Sequence, residues 1–162
     1  MAKKHPGGTP ATAALAKAGI DFTPRPYDHD PRADSFGLEA ATALGVAPER
    51  VFKTLLAVVD GTFTVAVVPV SGRLDLKALA RAVGGRRAEM AEPAAAERAT
   101  GYVVGGISPI GQKRSHTTVV DSTAFDHPTV LVSGGRRGLD LELTAADLVA
   151  ITAAIVDHVG RA

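Results

Sequence analysis

The chain has 162 residues, of which 46% are hydrophobic, 22% charged and 4% aromatic, and its net charge is +1. This length and composition predict one globular domain and exclude a largely disordered chain. The absence of Cys excludes disulfides, thiolate metal sites and a cysteine nucleophile, and the small net charge excludes a polycation that coats nucleic acid.

The N-terminal segment is predicted to be a flexible tail over residues 1–8, followed by a single domain over residues 9–162. MAKKHPGGTP lacks the apolar segment of a targeting peptide. No apolar run approaches the roughly 20 residues of a membrane helix. We therefore expect a cytoplasmic protein without membrane contact.

In chain order, the first third predicts two capped helices around an extended segment. Thr9 and Ser35 are typical N-caps, and a glycine follows each helix. Two prolines in the extended segment predict an edge strand, because proline cannot donate to a ladder. The predicted elements are a helix from Pro10 to Ala18, an extended segment from Ile20 to Tyr27, a polar turn at 28–31 and a helix from Phe36 to Leu44.

A β-hairpin is the clearest local signal. Val51–Val59 and Thr62–Val70 are rich in β-branched residues and are separated by Asp60-Gly61, a typical two-residue hairpin turn. Both runs are apolar on both faces, so this hairpin should lie inside a covered sheet.

The remainder predicts helices alternating with short strands. A helix capped by Asp75 should end near Gly84, and a last helix capped by Thr144 should end before Gly160. The other predicted elements are a strand at 87–90, a helix at 93–98, strands at 102–104, 117–121, 129–133 and 139–143, a loop at 105–111 and a turn at 134–138. The fold class is therefore single-domain α/β with a mixed sheet.

Lys53 is the most informative single residue. Alternation along the strand puts it in a row with Val51, Leu55 and Ala57, so an ammonium group stands among apolar side chains. An unpaired buried charge costs several kcal/mol, so this Lys should reach a carboxylate, a phosphate or a pocket. The alternative on strand pattern alone is a lysine whose head group extends to water.

Two glycine-rich segments could bind an anion. Residues 105–111 (GGISPIG) can present successive N–H groups, and residues 132–140 carry Arg136 and Arg137 on a glycine-rich turn beside Asp140. The alternative is that both segments are purely structural turns, which have the same Gly-rich composition. The segment 71–137 contains 10 Lys+Arg and 6 Asp+Glu, a net +4, whereas the rest of the chain carries −3. A local phosphate-binding face is therefore plausible.

Other catalytic constellations are missing from the sequence. The five histidines show no metal-ligand spacing, and there is no Gly-x-Ser-x-Gly nucleophile turn. We expect no metal and no cofactor.

Together these segments resemble the YbaK family of freestanding aminoacyl-tRNA editing domains, above all the Cys-tRNA(Pro) deacylases. The resemblance covers residues 9–159 and rests on five ordered motifs: YDHDP (27–31), VFKTL (51–55), LDLK (74–77), TGYVVGGISPIGQK (100–113) and VSGGRRGLDLEL (132–143). It implies a partly barrel-like mixed sheet with surrounding helices, and a pocket for the aminoacylated end of tRNA.

The resemblance also implies roles for individual residues. Lys53 matches the lysine that anchors the terminal phosphate or ribose, Gly105 the glycine loop at the ester, and Asp140 a pocket acid that orients Lys53 or the substrate amine. Catalysis in the family is substrate-assisted, so no enzyme nucleophile is needed. The remaining expected contacts are Tyr27, Phe36, Gly106, Ile107, Ser108, Ser133 and Gly134 for the substrate, and Lys113, Arg136 and Arg137 for tRNA.

The expected activity is removal of cysteine from mischarged Cys-tRNA(Pro). The expected partner is the aminoacylated acceptor end of tRNA, and prolyl-tRNA synthetase is a further candidate. A binding pocket separates amino acids of similar size poorly, and a second hydrolytic site corrects the error. Phe36 lies in a segment where relatives vary, and His116 lies in an unusual turn, so the resemblance leaves open which amino acid is removed from the tRNA. The alternatives are a deacylase for Ala- or Ser-tRNA and a non-catalytic module that binds tRNA or a synthetase.

Overall fold

The fold is a mixed α/β arrangement of three sheets and five helices, seen in a computed structural model that describes residues 8–33 and 35–162. The predicted tail lies outside the described residues except for Gly8. The helices are α1 (Pro10–Ala18), α2 (Phe36–Leu44), α3 (Leu76–Ala82), α4 (Pro93–Thr100) and α5 (Ala145–Thr152). The strands are β1 (Thr23–Pro26), β2 (Phe52–Val59), β3 (Thr62–Pro69), β4 (Arg73–Leu74), β5 (Ala88–Met90), β6 (Thr117–Asp121), β7 (Val130–Arg136), β8 (Leu139–Leu143), β9 (Ile155–Asp157) and β10 (Gly160–Arg161).

The predicted hairpin forms the centre of a five-stranded sheet with the order β5-β2-β3-β6-β9. Asp60 and Gly61 both have positive φ, 48° and 83°, as a type I′ turn requires, and the turn pairs Val59 with Thr62. β3 pairs in parallel with β6, and β6 with β9, so the sheet is mixed. The prediction of a covered hairpin is confirmed.

Hydrophobic side chains cover both faces of this sheet. On one face, Phe52 and Leu56 pack with α1, α5 and the inner face of the three-stranded sheet β1-β8-β7. On the other face, Ala57 and Val59 pack with Leu79 of α3. The alternation predicted for β2 is therefore correct, and it places Lys53 on the α3 side.

Among the described residues, one backbone bridge joins the two larger sheets. Val51, just before β2, forms a parallel bridge to Leu131 in β7, and both side chains are buried with Ala41 and Val70. This contact curves the sheets around a shared interior, in line with the expected partly barrel-like form, but the described strands do not close into a barrel. No helix among the described residues is long and apolar enough to span a bilayer.

Three predicted elements differ from the structure. Residues 102–104 form no strand, because the buried Tyr102 hydroxyl donates to the Ile110 carbonyl (2.7 Å) and folds the segment onto its own loop. β7 continues through two glycines to Arg136, so the turn is shorter than residues 134–138. The last helix ends at Thr152, followed by Ala153 with φ 51°, and the chain then forms β9 and β10.

The C-terminal strands are held by the buried carboxylate of Asp121. Its oxygens accept hydrogen bonds from the backbone N–H groups of Val159 (2.8 Å) and Gly160 (2.7 Å), and from Thr123. The side chain is 1% exposed, so these bonds replace almost all its hydration. One carboxylate thus ties the end of β6 to the chain leading into β10.

We expect Asp121→Ala to lower the free energy of unfolding by about 3 kcal/mol, because charge-assisted hydrogen bonds are lost and backbone donors are left buried. Urea denaturation at pH 7 measures the change. Asp126→Ala, an exposed substitution five residues away, serves as the control and should change stability little. Equal stability of the two variants would contradict this role of Asp121.

Candidate active site

A cavity of about 370 Å³ opens between α2, β2, the glycine loop and β8. Its wall is mostly apolar, and it brings together residues far apart in the sequence. Of the predicted site residues, those that line it are Tyr27, Phe36, Lys53, Gly105, Ile107, Ser133 and Asp140. The three residues predicted to be catalytic therefore share one cavity.

Lys53 is half-buried on β2, and its amino group donates a hydrogen bond to the Gly72 carbonyl at 2.9 Å. Burial lowers the pKa of this amino group below its usual value, and the positive charge of Arg73 lowers it further. In the described structure, the Lys53 amine pairs with no carboxylate and makes no hydrogen bond to Asp140. The ammonium group is thus available to an anionic ligand.

Asp140 is buried in the cavity wall, with 6% of its surface exposed. Burial raises the pKa of its carboxyl to about 7, although the charge of Arg25 acts in the opposite direction. No side chain or backbone N–H of the described chain donates to it. Such a carboxyl lacks the hydrogen bonds that normally accompany burial, so a cationic group entering the cavity would gain a strong partner.

Arg25 reaches this wall through strand pairing. β8 lies between β1 and β7, and the register places Arg25 and Ser133 on either side of Asp140. The Arg25 guanidinium pairs with Glu142, which also accepts from Arg50 at 2.6 Å. Burial raises the Asp140 pKa by more than the charge of Arg25 lowers it.

Tyr27 lies beside Asp140 at the start of the polar turn. Its backbone N–H donates to the Gly138 carbonyl at 2.9 Å, which continues the β1–β8 pairing by one residue. Burial raises the pKa of its phenol, and the nearby Asp140 carboxylate raises it further. Tyr27 therefore remains a neutral hydroxyl at the cavity wall.

The glycine loop approaches α2 closely at Gly105, which has φ 88°. A Cβ on this residue would lie 2.8 Å from the Arg137 Nε and 2.9 Å from the Phe36 ring, so only glycine fits. The neighbouring N–H groups are already used: Val104 donates to Glu97 and Gly106 to Val103. Among the described residues no acceptor pairs with the Gly105 N–H.

The other predicted substrate residues, Gly106, Ser108 and Gly134, do not line the cavity. Gly106 packs on the Arg136 backbone, and Gly134 packs on Leu139. Ser108 is fully buried and its hydroxyl accepts from the Ile110 N–H at 3.2 Å.

The three predicted tRNA residues lie outside the cavity. Arg137 spans its rim, since its guanidinium donates twice to the Val104 carbonyl (2.9 and 2.6 Å) and lies 4.8 Å from the Phe36 ring centre. Arg136 is exposed at the end of β7. Lys113 lines a second depression beside α4.

Several lining residues were missed by the sequence analysis. Thr54 stands next to Lys53 and its buried hydroxyl has no hydrogen-bond partner. The apolar wall also includes Val51, Leu55, Met90, Ala91 and Ala96. Adjacency to Lys53 could have indicated Thr54, but Met90 and Arg25 reach the site through strand pairings that no local pattern predicts.

The described residues contain no group of three or more His, Asp or Glu side chains placed to hold a metal ion. The lining residues include no His and no Cys. The polar groups that remain are one ammonium, one carboxyl, hydroxyls and a free backbone N–H.

Comparison with known proteins identifies relatives. A family model described as the aminoacyl-tRNA editing domain matches residues 30–151. The chain is 40% identical over 113 residues to EbsC of Enterococcus faecalis, to which Cys-tRNA(Pro)/Cys-tRNA(Cys) deacylase activity is attributed, and the match covers 69% of each chain. It is 27% identical over 144 residues to ProXp-y of Escherichia coli K12, a multifunctional Ser/Thr-tRNA deacylase, covering 86% of this chain and 84% of that one.

A solved structure ascribed to a trans-editing enzyme for prolyl-tRNA synthetase has the same fold. It aligns with a TM-score of 0.85 at 25% identity, covering 99% of this chain and 100% of that one. The expected mixed α/β fold is therefore confirmed.

We expect the stability of the protein to fall between about pH 4 and pH 7 because of Asp140. Its pKa is raised from 3.8 to about 7 in the folded state, so the unfolded chain ionises first and gains free energy over this range. Above pH 7 the free energy of unfolding of Asp140→Asn should therefore exceed that of the wild-type protein by up to about 4 kcal/mol. Below pH 4 the two proteins should be equally stable, because Asp140 is then neutral in both the folded and the unfolded state. Urea denaturation of both proteins from pH 4 to pH 8 measures the difference; a gain independent of pH would contradict the raised pKa.

Proposed function

The chain belongs to the aminoacyl-tRNA editing domain family, and on this premise we propose that it is a trans-editing deacylase that clears cysteine from Cys-tRNA(Pro). The observation that carries the proposal is the single cavity that holds Lys53, Gly105 and Asp140 within an apolar wall. The 40% identity to EbsC supports cysteine as the amino acid.

Each polar group of the cavity has a role in this proposal. Lys53 anchors the terminal phosphate or the ribose, because its ammonium is half-buried and free of a carboxylate partner. Asp140 pairs with the α-ammonium group of the amino acid; its buried carboxyl has no internal hydrogen bond and none to Lys53. The Gly105 N–H stabilises the developing oxyanion.

The ester is cleaved with help from the substrate itself. The cysteine thiol attacks its own carbonyl carbon, the bond to the ribose oxygen breaks, and the thiol proton passes to that oxygen, so that the products are a cyclic thiolactone and free tRNA. In the other route, a ribose hydroxyl assists the attack of a water molecule on the carbonyl carbon, the same bond breaks, and the products are free cysteine and free tRNA. The lining residues offer no Cys or His, and the Ser133 hydroxyl accepts from the Gly135 N–H, which favours a substrate nucleophile over an enzyme nucleophile.

The cavity wall favours a thiol over a hydroxyl. Phe36, Leu55, Met90 and Ile107 offer apolar contacts, and burying a hydroxyl among them without a hydrogen bond costs more than burying a thiol. The trans-editing description of the structural relative supports prolyl-tRNA synthetase as a partner. An activity on aminoacyl-tRNA places the proposed site of action in the cytoplasm, where tRNAs are aminoacylated.

A second candidate is a Ser- or Thr-tRNA deacylase, like ProXp-y. The observation in its favour is the Thr54 hydroxyl, which is buried at the cavity without a partner and could bind a substrate hydroxyl. The alternative of a non-catalytic tRNA-binding module has no comparable support, because the named relatives are deacylases.

We expect Lys53→Met to abolish deacylation of Cys-tRNA(Pro) while leaving the free energy of unfolding unchanged or higher. Methionine fills a similar volume and removes an ammonium group whose charge is disfavoured by burial. Release of cysteine from Cys-tRNA(Pro) and urea denaturation give the two readouts. Lys17→Met, an exposed change at the end of α1, is the matched control. An active Lys53→Met protein would remove Lys53 from the mechanism.

We expect Thr54→Val to raise the preference for Cys-tRNA(Pro) over Ser-tRNA by about tenfold, the equivalent of one hydrogen bond of about 1.4 kcal/mol. The measurement is kcat/KM with tRNAs carrying Cys, Ser, Thr or Ala. A wild-type protein more active on Ser- or Thr-tRNA than on Cys-tRNA(Pro) would establish the second candidate instead. No hydrolysis of any of the four, with tight tRNA binding, would establish the binding module.

A further inference from the structure

A second depression, of about 430 Å³, lies on the other side of α4 from the active-site cavity. We call it the cationic groove, and define it by the residues that line it: Phe63, Ala95, Arg98, Ala99, Lys113, Arg114 and His116. The active-site residues proposed above do not line it. It carries three of the chain's basic side chains and no acidic one.

The three basic side chains are exposed, and in the described chain none of them pairs with a carboxylate or makes a side-chain hydrogen bond. Three other arginines are used internally: Arg25 and Arg50 share Glu142, and Arg137 binds the Val104 carbonyl. Unpaired like charges on one concave surface repel each other and concentrate anions. The groove is thus built to accept negative charge from outside the chain.

Apolar and aromatic surface forms the floor between these charges. The rings of Phe63 and His116 meet edge to face, with centroids 5.9 Å apart. His116 Nε2 lies 3.1 Å from the Ala99 carbonyl, which fixes the imidazole against α4. A floor of this kind suits a ligand that has a sugar or base between its charges better than it suits a free inorganic anion.

The helix α4 connects the groove to the active site. Pro93 and Ala96 line the active-site cavity, and Ala95, Arg98 and Ala99 line the groove. The two sites are therefore separated by about the width of one helix, roughly 10 Å. At about 3.4 Å of axis per phosphate on one strand, about three nucleotides span this distance.

We propose that the cationic groove binds the phosphate backbone of the tRNA acceptor strand, a few nucleotides before the aminoacylated end that occupies the cavity. This inference rests on the proposed function and extends it. Arg98, Lys113 and Arg114 contact phosphates, and Phe63 with His116 packs against a sugar or base. The groove thus adds affinity for tRNA without touching the reacting ester.

The test replaces the three charges together, in the variant Arg98→Gln/Lys113→Gln/Arg114→Gln. The binding probe is a fluorescent tRNA acceptor-stem hairpin whose single-stranded 3′ end carries no amino acid, titrated at several salt concentrations. We expect Kd to rise at least tenfold, and the slope of log Kd against log salt to fall by about 0.7 for each phosphate that the variant no longer binds. Lys77→Gln is the matched control, because Lys77 is exposed on α3, across the five-stranded sheet.

A cysteinyl ester of adenosine tests whether the effect is local to the groove. This small substrate reaches the cavity but not the groove, so the triple variant should hydrolyse it at the wild-type rate. Unchanged Kd and salt slope would overturn the inference, and so would an equal effect of Lys77→Gln or an equal loss with the adenosine ester. Because the hairpin carries no amino acid, its binding is independent of catalysis. A wild-type protein that hydrolyses no aminoacyl-tRNA but loses hairpin affinity in the triple variant would overturn the proposed function alone.

Discussion

The site depends on one contact, the bridge between Val51 and Leu131 that joins the two larger sheets. Both residues are buried, so the contact is stabilised by the removal of apolar surface from water. It places the start of β2 against β7 while the rest of β2 pairs with β3. The cavity lies beside this bridge, since Val51 itself, β2 and Asp140 of β8 all line it. Lys53 and Thr54 follow the bridge directly and therefore stand at the edge of the cavity.

The polar groups at the cavity are unfavourable for the stability of the free protein. Lys53 has a charge disfavoured by burial, Asp140 has a carboxyl with a raised pKa, and the Thr54 hydroxyl has no partner. Each would be stabilised by a ligand that brings the missing charge or hydrogen bond. Asp121 is also a buried carboxylate, but it behaves differently. Burial raises its pKa, whereas hydrogen bonds from backbone N–H groups and from Thr123 lower it by more, so the pKa lies below its usual value. Asp121 thus has its partners within the fold, whereas Lys53, Asp140 and Thr54 lack the partners that would offset their burial.

The sequence predicts well those elements whose ends are determined by local chemistry. Thr9, Ser35 and Asp75 cap their helices as expected, and Asp60-Gly61 forms the expected turn. Prediction fails where a distant contact decides. Ala153 ends α5 in a left-handed conformation that alanine rarely adopts, so no local signal announces the helix end or β9.

The same distinction holds for the candidate site. Lys53 stands out because its charge interrupts an apolar alternation that can be read from the strand itself. Arg25 acts on Asp140 only because β1 and β8 are neighbours, and Tyr102 folds its segment into a loop through a bond to Ile110. Patterns along the chain thus find residues that violate local expectations, but not residues whose role arises from pairing.

The near-neutral net charge is compatible with RNA binding because three unpaired basic side chains lie together on one concave surface with no acidic residue. Arg25, Arg50 and Arg137 are neutralised or bound within the chain, whereas the three cations of the cationic groove are not. A cluster of unpaired cations in one groove gives an affinity that is local and sensitive to salt. Such an enzyme can release tRNA after the ester is cleaved, since only a few phosphates are held. α4, which separates cavity from groove, sets the spacing at which a single RNA end can occupy both.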